Sequence, residues 1–239
     1  MSRFITTLLP LLWLSGSTCR PQHFPAEIIE ADPRAPFSLR RIESVKERSA
    51  AQLLLHQSRP GRRLELAERF LKDHQDSWFV GEALEIAAKA SLQNGQYRKA
   101  VAYAQKSLRL LPENPSLLIA VAWAHLCLEE WHQAGTAGAE AVVHLREQTV
   151  PPPGWRGDQW RNWQDRHLFL ARLAHARAGV QQLAEPPADA ARLEAAVNSM
   201  HELLQADPVA SVHLYLSRPP GIARSQGMVA AVLYPPFAG

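Results

Sequence analysis

The stretch GQYRKAVAYAQKSLRLLPENP, residues 95–115, decides the fold. It opens on a glycine, which favours a turn, and closes on a proline, which cannot continue a helix. Between these two breakers small alanines recur at helical spacing, among them Ala100 and Ala104. The stretch therefore predicts a helix, and the fold depends on whether that helix occurs once or repeats.

The same pattern returns 34 residues further along the chain. Tyr97 falls on Trp131, and Ala100 falls on Ala134. An isolated amphipathic helix repeats every three to four residues and has no reason to return at a longer fixed distance. The recurrence therefore predicts a repeat protein. Further matched pairs are Leu84 with Leu118, Ala87 with Val121, Ala88 with Ala122, and Ser107 with Ala141.

The 34-residue period, the GQY motif and Pro112 resemble the tetratricopeptide repeat. The resemblance implies units of two antiparallel helices, A and B, that cross through small side chains. Small residues are needed there because the helix axes approach to about 8–10 Å. Together with the chain length, it implies an all-α, right-handed solenoid of about three to four helix pairs. The small residues would be Ala88 and Ala100 in one unit, and Ala122 and Ala134 in the next.

The domain organisation follows from where this pattern starts and stops. We expect the helical-repeat domain over residues 42–208, with its best units at 81–114 and 115–148. Residues 20–41 are rich in proline and predict a tether. Residues 209–239 contain too much glycine and proline for a long helix, and predict a capping segment or an irregular tail.

Helix pairs outside the two best units match the pattern less well. Upstream, Ala67 occupies a small-residue place with leucines beside it. Downstream, residues 158–179 predict an A helix and residues 191–208 a B helix. The unit 115–148 also departs from the pattern, because Gly138 replaces a larger residue and Arg146 replaces the terminating proline. We therefore expect its B helix to continue to the segment TVPPPGW.

The N-terminus has the features of a secretory signal peptide, expected over residues 1–19. One early arginine precedes an apolar stretch from Phe4 to Leu14, and small polar residues follow. The apolar stretch is too short to cross a bilayer, which takes about 20 helical residues. We expect export to the periplasm, the outer membrane or the medium. The alternative is an apolar helix that stays attached and packs.

Cys19 follows the apolar stretch at the place where bacterial lipoproteins carry a lipid. The segment LSGSTC resembles a lipobox but departs from it, since Gly16 stands where leucine is usual and Thr18 where glycine or alanine is usual. The sequence therefore leaves lipidation of Cys19 open. A lipid on this residue would tether the protein to a membrane through the N-terminus alone.

The composition argues against several function classes. The net charge of +3 comes from 26 basic and 23 acidic residues that are interspersed, without a Lys/Arg run of five. A nucleic-acid partner is therefore not expected. The sequence has no glycine-rich phosphate loop, HExxH pair, CxxC pair or GxSxG elbow. We expect a protein that is not an enzyme and has no catalytic residues, metal or cofactor.

By resemblance, a protein or peptide partner of unknown identity would bind in the concave groove lined by the A helices. The expected function is a protein–protein interaction adaptor or scaffold that acts in the cell envelope or is secreted. The groove would be polar in the first unit and partly apolar in the second. Its expected exposed residues are Glu82, Glu85, Lys89 and Gln93, then Ser116, Ile119, Trp123 and Leu126.

Two other functions remain open. Trp155, Trp160 and Trp163 lie close together and either pack against the preceding helix or form an aromatic anchor for a partner. As an interface, this cluster would make the protein a structural subunit of an oligomer. A helical enzyme could instead assemble His167, His175 and Glu202 from distant places. Cys127 is expected as a buried, inert thiol.

Overall fold

The computed structural model describes residues 24–30 and 35–184, together with residues 191, 194, 195 and 198. Within these residues every regular element is a helix and no strand occurs, which confirms the all-α prediction. The predicted signal peptide, Glu202 and residues 209–239 lie outside them. The α-helices are α1 (Ala26–Ile29), α2 (Ala35–Ser38), α3 (Val45–His56), α4 (Pro60–Asp73), α5 (Val80–Gln93), α6 (Tyr97–Leu108), α7 (Pro115–Cys127), α8 (Trp131–Glu147) and α9 (Gly157–Ala184), and a 3₁₀ turn spans Leu39–Arg41.

The α5–α6 and α7–α8 turns have the same backbone construction. Gly95 and Glu129, which are 34 residues apart, both take the left-handed conformation, with φ of 73° and 60°. In each turn the following residue donates its N–H to the carbonyl five residues earlier, at 2.9 Å. This is the Schellman motif, which satisfies carbonyls at a helix end. The next helices begin at Tyr97 and Trp131, the aromatic pair that the sequence matched.

Each helix from α3 to α9 packs against the next helix in the chain. Helices α5 and α7 also contact each other, as do α7 and α9, so these three form one continuous layer. The short helix α1 contacts all three. Buried apolar side chains form two clusters, one around α2–α5 and one that runs from α1 and α5 to α9.

The small residues predicted at the helix crossings are all buried. They are Ala88, Ala100, Ala122 and Ala134, of which the most exposed keeps 4% of its surface. Gly138 has a similar reason to be small, because a Cβ atom there would lie 3.0 Å from the backbone of α9. Its departure from the repeat pattern therefore reflects the close approach of α8 and α9.

The later helices are longer than the repeat pattern implies. Helix α8 continues past Val142, the position equivalent to the end of α6, and ends at Glu147 just before the proline-rich segment, as expected from Arg146. Helix α9 extends beyond the predicted residues 158–179 at its C-terminal end. Of the predicted helix 191–208, only four residues are described, and these are helical.

Residues 20–41, predicted as a Pro-rich tether, are in part helical where the structure describes them. Residues 24–30 and 35–41 contain α1, α2 and the 3₁₀ turn, and they pack on the helical domain. Ile28 and Ala35 are buried, as is Ile42 after the turn. Burial of apolar side chains is the physical reason, since each large aliphatic group stabilises the packed state by about 1.5–3 kcal/mol.

Candidate functional site

The candidate site is the surface of α5, α7 and α9 on which residues 24–30 lie, here called the inner groove. The sequence analysis predicts that the residues lining this groove are exposed. In the structure most of them are buried. The chain covers the groove with its own N-terminal segment, which contacts all three helices through α1. The buried lining residues are Glu82, Glu85, Lys89, Ser116, Ile119, Trp123 and Leu126, whereas Gln93 is half-buried.

Lys89 is the centre of a buried polar cluster at one end of the groove. Its Nζ donates to Glu85 Oε1 at 2.6 Å, to Ser116 Oγ at 2.7 Å and to the backbone carbonyl of Glu30 at 2.5 Å. The side chains of Lys89 and Glu85 keep 0% and 1% of their surface exposed. The three ammonium donors therefore have three acceptors, one of which belongs to the covering segment.

Asn114 completes this cluster from the residue before α7. Its Nδ2 donates to Glu85 Oε2 at 2.8 Å, and its Oδ1 accepts from the N–H of Leu117 at 3.0 Å as the N-cap of α7. Both oxygens of Glu85 thus have donors. Full hydrogen bonding compensates the cost of removing two charges from water, whereas loss of one partner would leave an uncompensated buried charge.

A second cation also binds the end of the covering segment. The Arg63 guanidinium donates to the carbonyl of Ile29 at 3.3 Å. Burial lowers the pKa of Arg63, and the nearby charges of Glu85 and Glu30 oppose that shift. Two cations therefore bind carbonyls at the C-terminal end of α1, where main-chain carbonyls lack partners within the helix.

The other end of the groove is apolar. The rings of Phe24 and Trp123 meet edge to face, with centroids 6.4 Å apart and planes at 86°. Ile28 is fully buried between these two ends. The Trp123 Nε1–H is buried and has no hydrogen-bond partner among the described residues. The contacts at this end are therefore aromatic and aliphatic.

Helix α9 closes the third side of the groove with His167 and Arg166. Arg166 lies 3.7 Å from the Glu27 carboxylate of the segment. His167 is buried, and its Nδ1 lies 2.8 Å from the carbonyl oxygen of Trp163. Burial lowers the pKa of His167 to about 4, aided by the charges of Lys89 and Arg166 and opposed by backbone hydrogen bonds at Trp163 and Glu27. The imidazole is thus neutral at pH 7.

The predicted aromatic anchor is mostly internal. Trp160 and Trp163 are buried and stacked at 4.8 Å, and Trp163 stacks on His167 at 3.9 Å. Trp155 is half-buried and meets Trp160 edge to face at 6.1 Å. Trp160 and Trp163 belong to the same buried apolar cluster as alanines of α8, the preceding helix.

The alternative enzyme residues are not brought together in the described part of the chain. His175 Nδ1 lies 2.9 Å from the carbonyl of Gly135 on α8, whereas His167 faces the groove. Glu202 lies outside the described residues. Among the described residues, no three His, Cys, Asp or Glu side chains are grouped closely enough to hold a metal ion.

Cys127 differs from the sequence expectation of a free thiol. It is half-buried at the end of α7, and it is disulfide-bonded. The expectation of an inert thiol is therefore wrong. Cys19, the residue at which lipidation was left open, lies outside the described residues.

Residues 24–30 are the part of the site that the sequence analysis missed. Phe24 and Ile28 supply its apolar contacts, and the last two carbonyls supply its polar contacts. The sequence feature that could have predicted this packing is the apolar cluster FPAEII, which lies in a region otherwise typical of a tether.

No family model, curated protein or solved structure matches the chain. Among the described helices, none is both long enough and apolar enough to cross a membrane.

Proposed function

We propose that this protein is a tetratricopeptide-like solenoid that binds a protein or peptide segment in its inner groove. The repeated turn geometry at Gly95 and Glu129 supports the solenoid, because equivalent helix pairs need equivalent turns. The continuous layer of α5, α7 and α9 supports it as well, since alternate helices line one face in such a repeat.

The observation that carries the binding proposal is the way the groove holds residues 24–30. Lys89 and Arg63 bind main-chain carbonyls of Glu30 and Ile29. Main-chain recognition does not require a particular side chain, so another short helical segment can make the same bonds. The expected partner segment presents an aromatic residue to Trp123 and ends its helix at Lys89.

We propose that the protein works outside the cytoplasm as an adaptor rather than an enzyme. The disulfide at Cys127 supports export, because such bonds persist in oxidising compartments. The basic start and short apolar stretch at residues 1–19 support it independently.

A peptide titration on the full-length chain tests the groove. The double variant Phe24→Ala/Ile28→Ser, here called the loosened chain, weakens the contacts of residues 24–30 with the groove. A fluorescent peptide of residues 21–34 is then added to this variant. We expect saturable binding by the loosened chain and none by wild type, whose groove is already filled. A peptide carrying the same two substitutions is expected to bind at least about tenfold more weakly, because it lacks the buried apolar groups.

Circular dichroism checks that the double variant keeps its helices. If the double variant loses helicity, the single variant Phe24→Ala is used in its place. Adding Trp123→Ala to the loosened chain is expected to abolish binding without loss of helicity. Equal affinity for the intact and the substituted peptide would contradict a specific groove.

A further inference from the structure

We propose that the inner groove selects an acidic segment of another protein, and that Arg63 and Arg166 determine this preference. The proposal rests on the proposed function of the groove and adds the chemistry of its partner. The covering segment, residues 24–30, shows what the groove accepts. Its ionisable side chains are the two carboxylates of Glu27 and Glu30, and it contains no basic residue.

Each of these carboxylates lies near an arginine of the helical domain. The Arg166 guanidinium of α9 is 3.7 Å from a carboxylate oxygen of Glu27. The charge of Glu30 acts on Arg63 of α4, where it opposes the lowering of the arginine pKa by burial. Attraction between opposite charges is screened less at a partly buried site than at the surface, so Arg63 contributes more than the exposed Arg166.

The other charged groups of the lining do not cancel these arginines. Glu85 also acts on Arg63, but it forms its own ion pair with Lys89 at 2.6 Å. Glu82 accepts a hydrogen bond from a serine of α2, outside the covering segment. His167 is neutral at pH 7, because burial lowers its pKa to about 4. The charge that acts on a bound segment is therefore positive.

The covering segment leaves hydrogen-bond donors of the groove unused. Arg63 Nη1 donates to the Ile29 carbonyl at 3.3 Å, longer than the common range of about 2.7–3.2 Å. Arg63 Nε and Trp123 Nε1 are buried and have no partner among the described residues. A guanidinium binds a carboxylate best through two parallel N–H groups. A segment that brings a carboxylate to Arg63 can therefore bind more tightly than the covering segment does.

These unused donors favour another protein over a second copy of this chain as the occupant. A second copy would bring the same residues 24–30 and leave the same donors unsatisfied. It would also lack the covalent link, which holds the covering segment near the groove at an effective concentration of the order of millimolar. A second copy therefore gains no contact that offsets the loss of the link, whereas a better-matched acidic segment does.

The contacts of the covering segment define the pattern of the expected partner. Counted from an aromatic residue at position 1, the pattern has acids at positions 4 and 7 and an aliphatic residue at position 5. The aromatic residue packs against Trp123, and the aliphatic residue is buried. In this chain the four places are held by Phe24, Glu27, Ile28 and Glu30.

Peptides with amides in place of the acids test the preference on the loosened chain. The peptide of residues 21–34 with Glu27→Gln and Glu30→Gln keeps its shape and loses both charges. We expect it to bind about three- to tenfold more weakly than the unaltered peptide at low salt, and the difference to shrink at about 0.5 M salt. Equal affinities would overturn the acidic preference and leave the groove proposal standing. Failure of the unaltered peptide to bind would overturn both.

A mutant cycle between protein and peptide tests the two arginines. Arg166→Gln in the loosened chain is expected to remove the loss caused by Glu27→Gln in the peptide, since both remove one ion pair. Arg172→Gln, at an exposed arginine on another face of α9, is the matched control and should leave that loss unchanged. Arg63→Gln should likewise remove the loss caused by Glu30→Gln. Losses that add would overturn the assignment. If Arg63→Gln does not fold, the Glu30→Gln peptide on the loosened chain still decides whether that acid is read.

Light scattering on the wild-type chain tests the choice of occupant. We expect a monomer at every concentration measured, because the covering segment already fills the groove. A dimer that forms in wild type and is lost in Trp123→Ala would place a second copy in the groove and overturn the foreign partner.

Discussion

The helix pairs α5–α6 and α7–α8 have equivalent turns and different inner faces. Their turns repeat at Gly95 and Glu129, and their B helices begin on equivalent aromatic residues. On the inner face, however, Lys89 of the first pair is equivalent to Trp123 of the second. One side chain carries a buried charge, and the other has a large apolar ring.

This difference shows which positions the fold constrains. The turns match between the two pairs, and the small residues at both expected crossings are buried. The inner-face side chains differ between the pairs, and Lys89 of α5 bonds to Ser116 at the start of α7. The result is a groove with a polar end for the carbonyls of residues 29 and 30 and an apolar end for Phe24.

The largest expected effect comes from breaking the charged end. Lys89→Met leaves the Glu85 carboxylate buried without its cation, and is expected to destabilise the protein by about 3–5 kcal/mol in urea unfolding. Adding Glu85→Gln removes the unpaired charge and should restore most of that loss. Trp123→Phe, at the equivalent position, should cost less, about 1–2 kcal/mol, because it leaves a small cavity but removes an N–H that has no partner among the described residues. Similar losses of stability in Lys89→Met and Trp123→Phe would contradict the difference between the charged and the apolar end of the groove.

The next effect is the pH dependence caused by His167. Its folded pKa of about 4 lies below the unfolded value of 6.5, so the unfolded state binds more protons between these values. Stability is therefore complete above pH 6.5 and falls as the pH drops toward 4, by on the order of 3 kcal/mol at most. Unfolding measured at pH 7 and 4.5 should show a smaller fall for His167→Gln. Parallel curves would show that this imidazole is not buried in the groove.

Equivalent helix crossings should respond equally to overpacking. Ala100→Leu and Ala134→Leu each place a large side chain where both alanines are buried, and each is expected to cost about 1–3 kcal/mol. Ala102→Leu, on the exposed face of α6, is the matched control and should change stability by less than about 0.5 kcal/mol. An unchanged melting midpoint for Ala100→Leu would reject this crossing.

The smallest expected effect distinguishes the two turns. Glu129 has a side chain in the left-handed conformation that Gly95 occupies without steric cost. Glu129→Gly is therefore expected to stabilise the protein by about 0.5–1 kcal/mol, after allowance for the greater freedom of glycine in the unfolded chain. Glu129→Ala keeps the Cβ atom and should give no such gain. Equal melting temperatures for the two variants would contradict this reading.

The sequence predicted the parts of the fold that depend on local pattern. The starts of α6 and α8, the buried alanines and the lengthening of α8 all follow from breakers and spacing. The residues expected to be exposed in the groove are mostly buried, and the segment that covers them was missed. A helix as short as α1 is unstable alone and exists through contacts far along the chain, such as Phe24 with Trp123 and Glu30 with Lys89. The prolines around it indicate a tether when only local sequence is considered.

The most direct test of the central claim is a nuclear Overhauser experiment on the full chain. The claim is that residues 24–30 fill the inner groove, with Phe24 against Trp123. Ring protons of these two residues should give a cross-peak, since their centroids are 6.4 Å apart in edge-to-face contact. Phe24→Leu and Trp123→Phe provide the assignments. We predict a cross-peak that disappears in both variants, and its absence from wild type with both rings assigned would contradict the account.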